Sequence, residues 1–205
     1  MREALTTMLR MQDRINTQVH SQWIEQSFAW HRAIWVECAE LVDHYGYKWW
    51  KHQDHDLAQV QLEVVDIWHF GLSALFTPGA SPEVLAAEIE ANWPGEAPRL
   101  GVIEAAEQLA GTAALEKQFS LSAFASLLAA AQLDFDSLFR QYLGKNVLNR
   151  FRQDHGYKDG SYRKQWQQRE DNEHLTELLA EVDTDLADAE ERLYAALAQR
   201  YAEAA

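Results

Sequence analysis

Trp35-Val36-Glu37-Cys38-Ala39-Glu40-Leu41 and Leu62-Glu63-Val64-Val65-Asp66-Ile67-Trp68 are the two runs on which the reading of this chain turns. Each carries two acids three residues apart. On a helix that spacing places both carboxylates on one face, about 5–6 Å apart at Cβ. The remaining positions are nearly all apolar, and a helix that is apolar most of the way round is a buried one. Carboxylates are seldom fully buried without partners, because an unpaired charge in a core is very costly. Four anions cannot neutralise one another, so protonation, basic partners or bound cations must do it. Donors that are all oxygen favour a hard cation such as Mg²⁺. The residues point to a Mg²⁺ cage of Glu37, Glu40, Glu63 and Asp66 between two helices. One such acidic pair alone is more often a solvated helix face. Two pairs on neighbouring apolar helices joined by a short loop carry the argument.

Composition sets the frame around these runs. A chain of 205 residues can bury a sizeable core as one domain, or as one domain with an appendage. With only 9 Gly and 4 Pro among many Ala, Leu, Glu and Gln, it favours helix over sheet. A net charge of −14 argues against a nucleic-acid-binding surface, which needs a basic footprint. The single cysteine, Cys38, excludes an intramolecular disulfide framework and suits a reducing compartment. It reads as a small buried core residue. No signal-peptide pattern opens the chain and no apolar run reaches membrane-spanning length, so a cytoplasmic protein with no membrane contact is expected.

Along the chain, a first helix is predicted from Glu3 to about His20, with Gln12 and Asn16 four apart on one face. A second runs from about Phe28 to Tyr45, closed by Gly46. The basic, aromatic stretch Tyr47-Lys48-Trp49-Trp50-Lys51-His52 follows. A third helix is capped by Asp54 or Asp56 and reaches about Phe76. Ser81-Pro82-Glu83 is a strong helix start. Two more helices, Arg99 to Ala110 and Leu121 to Gln132, are expected to be broken around Gly111 and Lys117. Residues 78–132 show no chemical signal and read as structural helices, an insertion or lid, or oligomer contacts. Asp134 or Asp136 starts a longer helix ending near His155-Gly156. A loop from Gly156 to Tyr162 comes next. A long C-terminal helix is expected over 170–203, with Leu175, Leu178, Leu179, Val182, Leu186, Leu193 and Leu197 on one face. The fold class is all-α, a multi-helix bundle with a buried acidic metal site between two core helices, in a single domain over residues 1–205.

In so acidic a chain, Lys145, Arg150, Arg152, Arg163 and Lys164 form a basic cluster, and Lys48 and Lys51 a smaller one beside the first acidic run. Surface ion pairs account for most such residues singly. Beside a Mg²⁺ cage they suggest a polyphosphate clamp, since metal ions and Lys/Arg side chains are the groups that hold one. No P-loop sequence is present.

These pieces resemble the dimeric, all-α dUTPase family within the all-α nucleotide pyrophosphatases. The resemblance rests on Gln12-x-x-Ile15-Asn16, Glu37-Cys38-Ala39-Glu40, Lys48-Trp49-Trp50-Lys51, Glu63-Val64-Val65-Asp66-Ile67-Trp68-His69-Phe70, Lys145-Asn146-x-Leu148-Asn149-x-Phe151-Arg152, His155-Gly156-Tyr157-Lys158-Asp159-Gly160 and Glu170-Asp171-Asn172. It departs at Gln167-Gln168, where a glycine stands in some relatives. The resemblance implies hydrolysis of dUTP, with dUDP, to dUMP, and two or three Mg²⁺ held by Glu37, Glu40, Glu63 and Asp66. It implies attack of a metal-bound water on the α-phosphorus, with Glu40 orienting and deprotonating it. Phosphate binding falls to Lys145, Arg152, Tyr157 and Lys164, and nucleoside binding to Gln12, Asn16 and Asn172. Asn149, one turn from Lys145 and Arg152, offers an amide donor and acceptor to a uracil edge. Phe70 and Trp49 are candidates to stack on or cover the base, with core packing as the alternative. A deoxyuridine nucleotide is the implied partner, and a homodimer the implied assembly.

Three other readings compete. A pyrophosphatase for dCTP or a damaged nucleotide shares the cage and differs in base contacts. A di-iron carboxylate bundle is suggested by Asp66-x-x-His69, but His44 is four residues after Glu40 rather than three. An acidic helical interaction protein would need no Mg²⁺ at all.

Overall fold

The computed structural model describes residues 1–182 and 188–204, and their architecture is all-α apart from one small hairpin. The chain divides into two compact units, Met1–Leu138 and Phe139–Ala205. No helix among the described residues is long and apolar enough to cross a membrane.

The first unit holds α1 (Arg2–Val19), α2 (Trp30–Tyr45), α3 (Leu57–Leu75), α4 (Pro82–Asn92), α5 (Val102–Glu116) and α6 (Leu121–Ala130). The helix boundaries follow capping chemistry. Asp56 accepts from the Gln59 N–H at 3.1 Å and Ser81 from the Val84 N–H at 3.3 Å, each satisfying an amide that the first turn leaves without a partner. Gly46 closes α2 at φ +87°, a left-handed conformation that L side chains resist. The α2 helix packs on α3 and α5, α4 on α1, and α6 on α5. The stretch 78–132, read from sequence as an insertion or lid, thus supplies three helices to this unit's own core. Trp68 on α3 anchors them, stacked on Phe124 of α6 at 4.7 Å between ring centroids and edge-on to Trp93.

The expected break at Gly111 does not occur. The α5 helix runs through it and ends at Lys117, which takes the left-handed conformation at φ +56°. A Cβ added at Gly111 would meet nothing within 4 Å. Gly111→Ala therefore gains helix propensity without a clash, and the urea midpoint should rise by an amount worth about 0.5–1 kcal/mol.

The second unit takes most of α7 (Phe135–Asp154), the hairpin strands β1 (Gln165–Trp166) and β2 (Arg169–Glu170), α8 (Asp171–Glu181) and α9 (Ala189–Glu203). Its core is aromatic: Phe151, Tyr162, Trp166 and Tyr201 pack edge-on or stacked, with centroids 5.1–6.4 Å apart. Gly144 on α7 lets Leu179 of α8 approach, since a Cβ there would lie 2.6 Å from a Leu179 methyl. Two corrections to the sequence reading arise in this unit. The long C-terminal helix is two helices, with Val182 extended at φ −92°, ψ 127° after α8. Leu186 lies outside the described residues. The hairpin was not expected either: Gln167 and Gln168 form its turn at φ +51° and +66°, where glycine or asparagine is the usual choice.

Candidate active site

The two acidic runs lie on α2 and α3, which pack directly against each other. Their contact brings carboxylate oxygens of Glu37, Glu63 and Asp66 within 4.8 Å of one another. Glu63 is buried; Glu37 and Asp66 are half-buried. Three of the four expected residues therefore converge. Glu40 stands outside this close triad on an exposed part of α2, yet its charge still reaches Glu37. The α2 helix is also less buried than its composition suggests, because Trp35 and Ala39 face outward with Glu40. His44, one turn beyond Glu40, was not expected at the site, but its Nε2 lies 3.5 Å from Glu63 Oε1.

The electrostatics of the triad are those of crowded anions. Burial, then the charge of Asp66, then the hydrogen bond and charge of Glu63, with Glu40 behind them, push the Glu37 carboxyl from an ordinary 4.5 up to about 8. A proton on Glu37 is thus the protein's own means of holding these oxygens together. A divalent cation would do the same more completely. The donor set is all carboxylate oxygen, which fits a hard cation such as Mg²⁺. The Cys38 thiol beside them is buried, and burial with the charge of Glu37 raises it to about 12, so it stays protonated as a packing residue.

Between about pH 4.5 and about 8 the folded, metal-free protein holds a proton on Glu37 that the unfolded chain has released. Stability from this group is therefore greatest below about 4.5 and is lost as pH rises through about 8. Thermal unfolding of metal-stripped protein should shift to lower temperature across that window, and added Mg²⁺ should offset the loss at its upper end. A melting temperature flat across the window would contradict the coupling.

The residues expected at the nucleoside behave differently from one another. Gln12 and Asn16 on α1 are joined, Gln12 Nε2 donating to Asn16 Oδ1 at 3.1 Å. Asn16 Nδ2 donates to Ser73 Oγ at 3.0 Å, and Gln12 Oε1 lies 2.8 Å from His69 Nδ1. His69 thus sits in a polar network as a hydrogen-bonded buried histidine. Phe70 is half-buried and stacks on Trp30 at 6.2 Å. Trp49 is 90% exposed, which removes core packing as the reason for it.

In the second unit Lys145, Asn149, Arg152, Tyr157 and Asn172 come together around one further partner, Asp171. Arg152 is forked onto Asp171, its Nε and Nη2 each donating at 2.8 Å, and Asp171 is fully buried. Asn149 Oδ1 accepts from Arg152 Nη1 at 3.3 Å, and Asn172 Oδ1 accepts from Lys145 Nζ at 3.3 Å. Tyr162 donates to Asp171 at 2.9 Å, and burial followed by Asp171's charge raises its phenol well above the ordinary value. Tyr157 is half exposed, with the Arg152 guanidinium 5.8 Å from its ring centre, and Lys164 is paired with Glu170 at 3.3 Å on the surface. Asp171 had a legible signal: an acid at the first position of α8, where helix starts favour negative charge.

A helical fold whose two tightly packed core helices converge three carboxylates defines an all-α protein with an acidic metal-type centre. A family model described as dUTPase matches residues 4–157, and the chain belongs to that family, the all-α dUTPases, with the activity of a dUTP diphosphatase. The match spans α1 through α7, including both acidic runs. A search of curated proteins finds no match to the chain.

Proposed function

We propose that the protein hydrolyses dUTP, and dUDP with it, to dUMP by attack of water on the α-phosphorus, in a Mg²⁺-dependent reaction at Glu37, Glu40, Glu63 and Asp66. The convergence of Glu37, Glu63 and Asp66 within 4.8 Å carries this reading. Mg²⁺ held there, two or three ions per site, would lower the pKa of bound water and offset charge on the attacking and leaving oxygens. The chain's own residues supply the rest. Glu37, Glu40, Glu63 and Asp66 are the oxygen donors. Glu40, which is exposed and outside the tight triad, also takes the proton of the attacking water. Its solvent contact gives that proton a way out.

The same proposal gives phosphate binding to Lys145, Arg152, Tyr157 and Lys164, and nucleoside binding to Gln12, Asn16, Trp49, Phe70, Asn149 and Asn172. Trp49, exposed on a basic loop with Lys48 and Lys51, suits a side chain that closes over a bound base. A cytoplasmic homodimer completes the reading. The test is pyrophosphate release from dUTP, dCTP, dTTP and UTP with and without Mg²⁺. Mg²⁺-dependent turnover of dUTP in preference to the others is expected. Equal turnover of dCTP would discard the uracil contacts, and Mg²⁺-independent turnover would discard the cage.

A further inference from the structure

Gln12, Asn16, His69 and Ser73 form a closed ring of hydrogen bonds, and the ring has a direction. The Ser73 hydroxyl donates to the His69 backbone carbonyl at 2.9 Å, one helical turn back on α3. A carbonyl can only accept, so the hydroxyl proton is committed there. Ser73 Oγ must then accept from Asn16, which places the amide nitrogen of Asn16 towards it at 3.0 Å. Asn16 Oδ1 consequently faces Gln12 and accepts from Gln12 Nε2 at 3.1 Å. That leaves Gln12 Oε1 towards His69 Nδ1 at 2.8 Å, so Nδ1 carries the proton. Each orientation in the ring is forced by the one before it, and the chain of constraints begins at Ser73.

The opposite direction is chemically self-consistent for everything but Ser73. Both amides would flip, His69 would carry its proton on Nε2, and Ser73 would have to give up the carbonyl to donate to Asn16. The Ser73 hydroxyl, 1% exposed, selects between the two. The choice matters at Asn16, which is half-buried. Its Nδ2 has two protons, and Ser73 takes one. In the observed direction Asn16 can present the other, a donor, to a ligand; in the reversed direction the same edge presents an oxygen lone pair.

We propose that Ser73 is a positioning residue for base selectivity: it fixes the polarity of the Gln12–Asn16–His69 ring so that Asn16 offers a donor to a pyrimidine carbonyl. A 4-oxo pyrimidine accepts such a bond, whereas a 4-amino pyrimidine meets donor with donor. The proposal rests on the reading that Gln12 and Asn16 contact the base.

The experiment joins two measurements on the full chain: the tautomer of His69 by ¹⁵N NMR, and kcat and KM for dUTP and dCTP, in the wild type, Ser73→Ala and Ser73→Thr. The wild type should show His69 protonated on Nδ1. Ser73→Ala should show a mixture of tautomers, and its preference for dUTP over dCTP should fall by about five- to tenfold, through KM rather than kcat, which is the worth of one neutral hydrogen bond. Ser73→Thr, which keeps the hydroxyl, should retain the wild-type preference. An Nε2-protonated His69 in the wild type overturns the ring polarity whatever the substrate. An unchanged preference in Ser73→Ala, or a Thr variant as impaired as the Ala variant, overturns the role of the hydroxyl. A wild type with no dUTP preference at all fails the base-contact reading itself, and the selectivity role with it, while the tautomer still reports on the ring.

Discussion

Glu40→Gln is expected to lower kcat by about 10²–10⁴-fold while the protein remains folded, the span over which a general base contributes. The side chain is exposed and stands outside the tight triad, so an isosteric amide removes a proton acceptor without opening a cavity or orphaning a buried group. Surface changes of this kind alter stability by no more than about 0.5 kcal/mol. The small effect that remains has a definite sign. Glu40 is one of the charges that raise Glu37, so its neutralisation lowers the Glu37 carboxyl towards its ordinary value. Metal-free Glu40→Gln should therefore lose less stability than the wild type between about pH 4.5 and about 8. Steady-state rates at saturating dUTP and Mg²⁺, with thermal melts on the same samples, check both parts. Near-normal turnover would remove Glu40 from the chemistry.

Arg152→Ala should show the reverse pattern, a large loss of stability. Its guanidinium is forked onto Asp171, whose carboxylate has no exposure to solvent. Removing the arginine leaves a buried anion whose remaining side-chain hydrogen bond, among the described residues, comes from the Tyr162 hydroxyl, and breaking a buried pair in this way costs about 3–5 kcal/mol. Urea denaturation should show the loss, and hydrogen exchange should show it in α8, which begins at Asp171. Arg152→Lys keeps the charge but not the planar fork, so it should recover only part. The double variant Arg152→Met/Asp171→Leu should regain most of it, because no unpaired charge remains. A single-site loss below about 1 kcal/mol would mean that the pair is hydrated and weak.

Local chemistry made much of this fold legible in the sequence. Ser81-Pro82 and Asp56 start their helices as expected because capping is a contact between near neighbours, and the acidic spacing on α2 and α3 did mark facing surfaces. What escaped was set by tertiary context. Gly111 does not break α5, because packing of that helix on α2 and α6 outweighs the propensity cost of one glycine. The Gln167-Gln168 turn has no glycine or asparagine to announce it; the flanking residues hold it, Trp166 by burial and Asp171 by its fork to Arg152. Spacing alone could not say how deep each of the four acids lies: Glu63 is buried, Glu37 and Asp66 are half-buried, and Glu40 is exposed beside them. Ser73 was invisible in any pattern, since a serine inside a helix reads as neutral until its hydroxyl is seen between an amide and a carbonyl.

The proposed site holds a divalent cation on Glu37, Glu40, Glu63 and Asp66, with the close triad of Glu37, Glu63 and Asp66 at its centre. Calorimetric titration of Mg²⁺ into metal-stripped protein at pH 7, in two buffers of different ionisation enthalpy, tests it most directly. With Glu37 raised to about 8, the metal must displace its proton, so binding should release about one proton per site and the apparent enthalpy should differ between buffers accordingly. Glu63→Gln should abolish or greatly weaken the signal. Absence of Mg²⁺ binding, or binding that releases no proton and survives Glu63→Gln unchanged, would rule out a cation site at these carboxylates.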